Sequence, residues 1–180
     1  DFLASLGPGG AMMIKAVAGG GGRGMRAVRD AAELEEAYAR CRSEARAAFG
    51  ADEVYVERLI LQARHVEVQI IGDGSGEISH LWERECTITE AALTLARAAR
   101  YDSLGTFEFL VDAQADAAGE GAFAFIEANP RLQVEHTVTE EVLGVDLVRA
   151  QIAVAAGATL AQLGLAQREV PRPAGHAMQL

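Results

Sequence analysis

Phe125-Ile126-Glu127-Ala128-Asn129-Pro130-Arg131-Leu132-Gln133-Val134-Glu135-His136 sets two carboxylates, two amides and a guanidinium at alternate positions of a segment that reads as extended. In a strand, residues two apart point to one face. Glu127 and Asn129 therefore project together, and if the chain stays extended Arg131, Gln133 and Glu135 follow them. Ala128, Leu132 and Val134 then take the other face and bury. Five polar groups on one face, two of them acceptors for a hard cation, are costly to bury without a ligand or metal. The plain alternative is a solvated edge strand with surface ion pairs.

A second stretch, Met12-Met13-Ile14-Lys15-Ala16-Val17-Ala18, is an apolar run holding one lysine, followed by Gly19-Gly20-Gly21-Gly22-Arg23-Gly24-Met25. A lysine in a buried strand needs an anionic partner. Glycines let backbone N–H groups approach phosphate oxygens closely, and the apolar runs on either side argue against a flexible linker. Gly19, Gly21 and Gly24 match dinucleotide spacing, a weak pattern alone. A P-loop fails because Met25-Arg26 stands where Lys-Ser/Thr is required. A glycine flap over a triphosphate, with Lys15 reaching the phosphates, fits better than either.

At 180 residues the chain makes one domain or slightly more and can bury a sizeable core. No apolar run approaches the roughly 20 residues needed to span a membrane, no signal peptide is visible, and the mean hydropathy of +0.10 reflects alanine-rich helices. The formal net charge of -10 argues against a nucleic-acid surface, while Lys15, Arg23 and Arg131 still allow an anionic ligand. Cys41 and Cys86 lack metal-ligand spacing. Cys41 falls on a helical apolar stripe, and a reducing, cytoplasmic setting is expected. The chain begins without methionine and stops at Gly175–Leu180, which reads as the start of a strand, so it is taken as a piece of a longer protein.

Along the chain, 12–18 reads as a strand. Asp30 with Glu33 makes a capping box for a helix running to Phe49, with Leu34, Tyr38, Cys41, Ala45 and Phe49 as its stripe and Gly50 as its stop. Strands follow at 53–60, 64–71 and 77–84. A short helix covers 90–100. An antiparallel pair at 105–112 and 122–127 is joined by the polar loop 113–121. Helices lie near 138–143 and 147–156, the latter capped by Asp146 and Gly157. This is an α+β pattern. Glu108, in a strand with few other charges, reads either as partner to a core arginine or as a metal ligand opposite Glu127. A Glu–Glu–Asn cluster beside a triphosphate suits Mg²⁺. Glu57 reads as a strand end whose neighbourhood can meet an adenine edge, His65 as a satisfied structural histidine, and Trp82 as core.

Lys15, the glycine loop, Glu57, Arg64-His65-Val66-Glu67, Trp82-Glu83-Arg84-Glu85-Cys86, Glu108 and Glu127–His136, in this order, make the chain resemble the ATP-grasp part of biotin carboxylase, over nearly all its length. The resemblance implies an ATP-grasp fold with a glycine-flap small lobe at 1–58 and a larger mixed and antiparallel lobe at 59–180 that runs into a truncated C-terminal subdomain. It implies ATP bound by Lys15, Gly20, Gly21, Gly22, Gly24, Met25, Glu57, Arg58, Ile60 and His65. It implies Mg²⁺, with Mn²⁺ able to substitute, on Glu108, Glu127 and Asn129. Bicarbonate is held by Arg131, Gln133 and Val134. The resemblance further implies Glu135 as general base and Arg131 as the group that stabilises the biotin enolate. Biotin arrives as a carried substrate on a carrier protein or domain, and a carboxyltransferase component is the further partner, with no nucleic acid or membrane. Carbamoyl-phosphate synthase-type ligases share the bicarbonate step; a dinucleotide-binding oxidoreductase is the remaining alternative. Relatives of this kind carry, after the Glu-Arg-x-Cys motif, a Gln-Arg-Arg-x-x-Lys-like segment with a ribose-side glutamine and histidine and a bicarbonate-side lysine. They also carry an amino-terminal domain and a full carboxy-terminal subdomain with a biotin-contacting arginine. None of these stands in this sequence. As an isolated piece it is therefore expected to bind nucleotide weakly and turn over little or not at all.

Overall fold

The computed structural model describes residues 2–19, 23–82, 86–112 and 123–180, and of Cys86 the backbone only. The chain divides into two compact units, Asp1–Gln62 and Ala63–Leu180.

In the first unit a short α1 (Phe2–Ser5) precedes a three-stranded antiparallel sheet. Its centre is β1 (Met12–Ala16), flanked by β2 (Met25–Val28) and β3 (Val54–Arg58). Alternation along β1 buries Met12, Ile14 and Ala16 and leaves Met13 and Lys15 on the opposite face. A 3₁₀ turn at Ala31–Glu33 leads into α2 (Leu34–Phe49), which covers the apolar face with Ala37, Cys41 and Ala45. Asp30 accepts from Ala32 N at 2.9 Å, and Gly50 ends the helix at φ 74°. Cys41 and Ala45 are buried and Leu34 packs on the core as the stripe required, but Ala37 takes the buried place expected of Tyr38, which is exposed with its ring under the Arg42 guanidinium. Asp52 binds both Arg42 and Arg46, and this holds its carboxyl below the usual range.

The second unit is built on a four-stranded antiparallel sheet ordered β5-β4-β6-β7, with β4 at Ala63–Gly72, β5 at Ile78–His80, β6 at Ser103–Asp112 and β7 at Phe123–Asn129. Val68, Ile70, Phe107, Phe109 and Val111 point to one face, where α3 (Cys86–Ala98) lays down Ile88, Ala92, Leu93 and Ala96. Because Ile88 is the first rung of this stripe, α3 starts a turn earlier than the sequence pattern suggests. Phe109, fully buried, meets Phe123 and Phe125 at ring separations of 5.8 and 5.6 Å. On the other face, Ile71 and Leu104 pack at one end against α4 (His136–Leu143) and α5 (Leu147–Ala155), through Leu143, Leu147, Ala150 and Val154. That face is polar at its other end.

β5 is shorter than expected because Trp82 takes φ 66° directly after Leu81. The indole, half-buried, donates to Pro171 O at 2.6 Å. Asp146 caps α5 by accepting from Arg149 N at 2.8 Å, as its type and position required. Residues 175–180, which the sequence pattern makes the start of a strand, form no strand. At position 105 only glycine lets Tyr101 lie across β6, because a Cβ there would stand 1.9 Å from the Tyr101 hydroxyl and 2.8 Å from Asn129 O.

Candidate functional site

In the first unit the face of β1 turned away from α2 gathers Lys15 with its direct neighbours Met25 and Tyr55, and Glu57 one diagonal away. Lys15 is largely buried and its ammonium is ion-paired to Glu57. Three of the expected nucleotide residues, Lys15, Met25 and Glu57, thus share a face by strand register alone. Arg58 pairs with Met12 and projects to the opposite face, so only its backbone belongs with Glu57. Ile60 follows the strand, half-buried. The glycine segment is tied to β1 at both ends: Gly19 N donates to Ala16 O at 3.0 Å and Ala16 N to Gly24 O at 2.8 Å. Gly24 has φ 68°, and a Cβ there would meet Ala16 Cβ at 2.9 Å, so the position demands glycine. Gly24 O also accepts from the buried Cys41 thiol, whose pKa is raised by burial first and by Glu44 second. Gly20, Gly21 and Gly22 lie outside the described residues.

In the second unit, Glu67 on β4 stands opposite Glu108 on β6, and Glu108 stands opposite Glu127 on β7. One row across three strands therefore carries three carboxylates. The next row toward the β7 terminus holds Gln69, Thr106 and Asn129, and His65 lies two residues before Glu67 on the same face. A register shift between Glu108 and Phe109, where β7 has one extra residue, turns Glu127 onto this face while Phe125 stays on the apolar one. Glu108 is the hub. Its Oε2 meets His65 Nε2 at 2.7 Å, and its Oε1 accepts from Asn129 Nδ2 at 2.6 Å and from Gln133 Nε2 at 3.3 Å. Among the described residues Glu108 is held by an imidazole and two amides, where the sequence had also allowed a core arginine.

The extended alternation expected through Glu135 stops at Asn129. Pro130 closes a tight turn in which Arg131 N donates to Asn129 O at 2.8 Å. The expectation that Ala128 and Val134 bury is corrected: Val134, past the turn, is 77% exposed, Ala128, on the edge strand β7, is exposed, and of the three only Leu132 packs on the core. Gln133 returns to Glu108 through the turn, not along a strand, and is buried. His136 Nδ1 donates to Gln133 O at 2.8 Å and holds the turn in place. Arg131 is exposed and donates to Leu132 O at 3.3 Å. Glu135 sits at the N-terminus of α4, exposed, close enough to Glu67 for the two carboxylates to repel.

Burial, then Glu135 and Glu108, push the Glu67 carboxyl above the usual range, with His65 opposing. Glu67, Gln69 and Thr106 belong to the site and were passed over in the sequence. The strict alternation of His65, Glu67 and Gln69 against Val66, Val68 and Ile70 was the signal for the first two. These groups open onto a cavity of about 530 Å³ lined among others by His65, Glu67, Thr106, Gln133, Glu135 and His176.

Two carboxylates on adjacent strands, with an amide beside them, form a donor set that suits Mg²⁺, which takes one or two carboxylates and keeps positions for phosphate oxygens and water. Asn129 Nδ2 lies 2.6 Å from Glu108 and 3.5 Å from Glu127, which brings all three side chains to one point. The residues present fit such an ion.

The sequence profile described as "Carbamoyl-phosphate synthase L chain, ATP binding domain" matches residues 8–90 and 87–163. A pyruvate carboxylase of Aspergillus niger is 46% identical over 183 aligned positions, which take in 88% of this chain and 15% of that protein. A Campylobacter jejuni structure described as a biotin carboxylase–β,γ-ATP complex superposes with a TM-score of 0.83 at 38% identity, over 96% of this chain and 41% of that one. The biotin carboxylase domain of a Hydrogenobacter thermophilus 2-oxoglutarate carboxylase, in complex with MgADP and bicarbonate, superposes with a TM-score of 0.81 at 33% identity, over 94% and 40%. The chain thus spans about a seventh of the curated relative's length. The 183 aligned positions meet 88% of 180 residues, or about 158, so about 25 positions of the relative have no counterpart here. The profile breaks into two pieces around residues 87–90, which puts that gap at the start of α3.

Proposed function

Because this chain belongs to the carbamoyl-phosphate synthase L chain ATP-binding family, and within it to the ATP-grasp region of the biotin carboxylase kind, we propose that the protein containing it carboxylates biotin on a carrier, using ATP, Mg²⁺ and bicarbonate. The observation that carries this reading is the convergence of His65, Asn129 and Gln133 on Glu108 with Glu127 directly opposite.

In this reading Lys15 leaves Glu57 to bind phosphate, and Glu57 accepts from the adenine amino group beside the backbone of Arg58 and Ile60. Gly20–Gly22, Gly24 and Met25 supply backbone N–H groups to the phosphates, and His65 lies toward the ribose. Glu108, Glu127 and Asn129 hold the metal, which when bound neutralises phosphoryl charge. Arg131, with Gln133 and the backbone of Val134, holds bicarbonate. A bicarbonate oxygen attacks the γ-phosphorus and ADP leaves. Glu135 accepts the bicarbonate proton, and carboxyphosphate results. Carboxyphosphate then breaks its C–O bond to give CO₂ and phosphate, and the phosphate takes the ureido N–H proton of biotin. Arg131 stabilises the resulting enolate as its nitrogen bonds to CO₂, and a carboxyltransferase component passes the carboxyl group on. The positions missing at the start of α3 fall where the bicarbonate-side lysine is expected, so the isolated chain binds nucleotide weakly and turns over little.

The test is bicarbonate-dependent ATP cleavage and carboxylation of free biotin by the full-length protein. Glu127→Gln is expected to abolish most of the cleavage, and Arg131→Ala to reduce carboxylation more than nucleotide affinity. Unchanged cleavage in Glu127→Gln would remove that residue from the metal site. The family description itself favours a second reading, bicarbonate activation for carbamoyl phosphate. ATP cleavage that responds to ammonia and not to biotin would select it.

A further inference from the structure

We propose that His136 and Glu140 are positioning residues for the turn Arg131–Glu135. They act through Gln133, are anchored on α5, and serve bicarbonate activation, a step whose identity rests on the biotin carboxylase reading. Arg131, Val134 and Glu135 are exposed, while Leu132 packs on the core and Gln133 is buried. Gln133 is thus the polar fixed point of the turn. Its Nε2 donates to Glu108 Oε1 at 3.3 Å, and its carbonyl accepts from His136 Nδ1 at 2.8 Å, a closer contact than the 3.3 Å from His136 N.

A carbonyl oxygen only accepts, so His136 Nδ1 carries a proton and Nε2 is the atom left for a second partner. That partner is Glu140. The two residues are four apart on α4 and share a face, with Nε2 3.7 Å from Oε2. The other carboxylate oxygen, Oε1, accepts from Leu147 N at 2.6 Å. Leu147 opens α5 and is fully buried in the apolar cluster with Leu143, Ala150 and Leu160. Its N–H is one of the donors that a helix start leaves without an internal partner, and Asp146 takes a different one, that of Arg149. The line Leu147–Glu140–His136–Gln133 therefore runs from the core to the turn, and each member is buried or half-buried.

The effect of this line is selective. If Gln133 drifts, Glu108 keeps Asn129 at 2.6 Å and His65 at 2.7 Å, both closer than the 3.3 Å to Gln133. The metal-side group is then little disturbed. Arg131 and Glu135 stand two residues to either side of Gln133, and their placement depends on the turn. A misplacement of about 1 Å can cost on the order of 100-fold in rate. The loss therefore falls on holding and deprotonating bicarbonate, and the nucleotide is spared.

The test pairs bicarbonate-dependent ATP cleavage by the full-length protein with NMR of the Gln133 side-chain amide in the glutamine-labelled 180-residue chain. His136→Ala and His136→Gln are each expected to lower kcat/KM for bicarbonate about 10–100-fold while the KM for ATP changes less than ~3-fold. His136→Asn places an N–H where Nδ1 stands and is expected to restore most of the loss. Glu140→Gln keeps an acceptor for Leu147 N, drops the charge facing the ring, and is expected to fall between the two. The Gln133 amide protons should shift and exchange faster in His136→Ala and His136→Gln, and stay as in the wild type in His136→Asn. A KM for ATP that rises as far as that for bicarbonate, unchanged kinetics and amide signals, or His136→Asn behaving as His136→Ala would overturn the proposal. Wild-type ATP cleavage indifferent to bicarbonate would instead refute the biotin carboxylase reading, and the Gln133 amide signals then decide the positioning by themselves.

Discussion

Gly105→Ala isolates one close approach on which the site depends. The new methyl would stand 1.9 Å from the Tyr101 hydroxyl and 2.8 Å from both Tyr101 Cζ and Asn129 O. The hydroxyl now donates to Leu104 O at 3.1 Å, and the ring meets Phe107 edge-on at 5.4 Å. Overpacking costs about 1–3 kcal/mol, the displaced hydrogen bond about 0.5–1.5 and the broken ring pair about 0.5–1.5. The expected loss is therefore about 2–6 kcal/mol, read from urea midpoints at unchanged slope. Tyr101→Phe removes the nearest atom, so Gly105→Ala in that background should cost at least about 1 kcal/mol less, a coupling measured by a double-mutant cycle. Because Asn129 O is the other neighbour, the substitution should also loosen the Asn129–Glu108 contact and weaken Mg²⁺-nucleotide binding. A loss below about 0.5 kcal/mol, or identical losses in both backgrounds, would refute this account of β6.

Phe109→Ala should cost about 3–5 kcal/mol in denaturant unfolding, since the ring is fully buried between α3 and β7. Burial lowers the pKa of His80, and its Nδ1 accepts from Trp82 N at 3.2 Å. With the folded value below the unfolded one, about 6.5, stability is present above that pH and is lost as pH falls through the folded value. His80→Gln should flatten the acid limb of a melting-temperature profile, and an unchanged limb would contradict the assignment. Cys41, buried and with a raised pKa, should react with a thiol reagent only as fast as the first unit opens. Reaction at the rate of a free thiol would mean that α2 does not seal the sheet.

Much of the fold was legible because residue type and position agreed. Asp30, Gly50 and Asp146 announced helix ends, and the alternation of residues 64–71 announced both faces of β4. The mistakes share a cause. Hydrophobic periodicity does not report where a strand stops, so the run from Glu127 was carried past Pro130, although proline removes the N–H that a ladder needs. The bulge near Glu127, which turns it onto the polar face, leaves no mark in composition. Among site residues, Lys15, Glu108 and Glu127 stood out as charges inside apolar strands. Glu67 did not, because a charge on an alternating strand reads as solvent-facing. Only the strand pairing reveals that it sits beside Glu108 and reaches Glu135.

The most direct measurement is calorimetric titration of the 180-residue chain with a non-hydrolysable ATP analogue, with and without Mg²⁺, for the wild type, Lys15→Ala and Glu127→Gln. Mg²⁺-dependent binding to the wild type, weakened at least ~10-fold by each substitution, is the result this account requires, about 1.4 kcal/mol apiece. Binding indifferent to Mg²⁺ and to both substitutions, or NAD bound in preference to the ATP analogue, would contradict it.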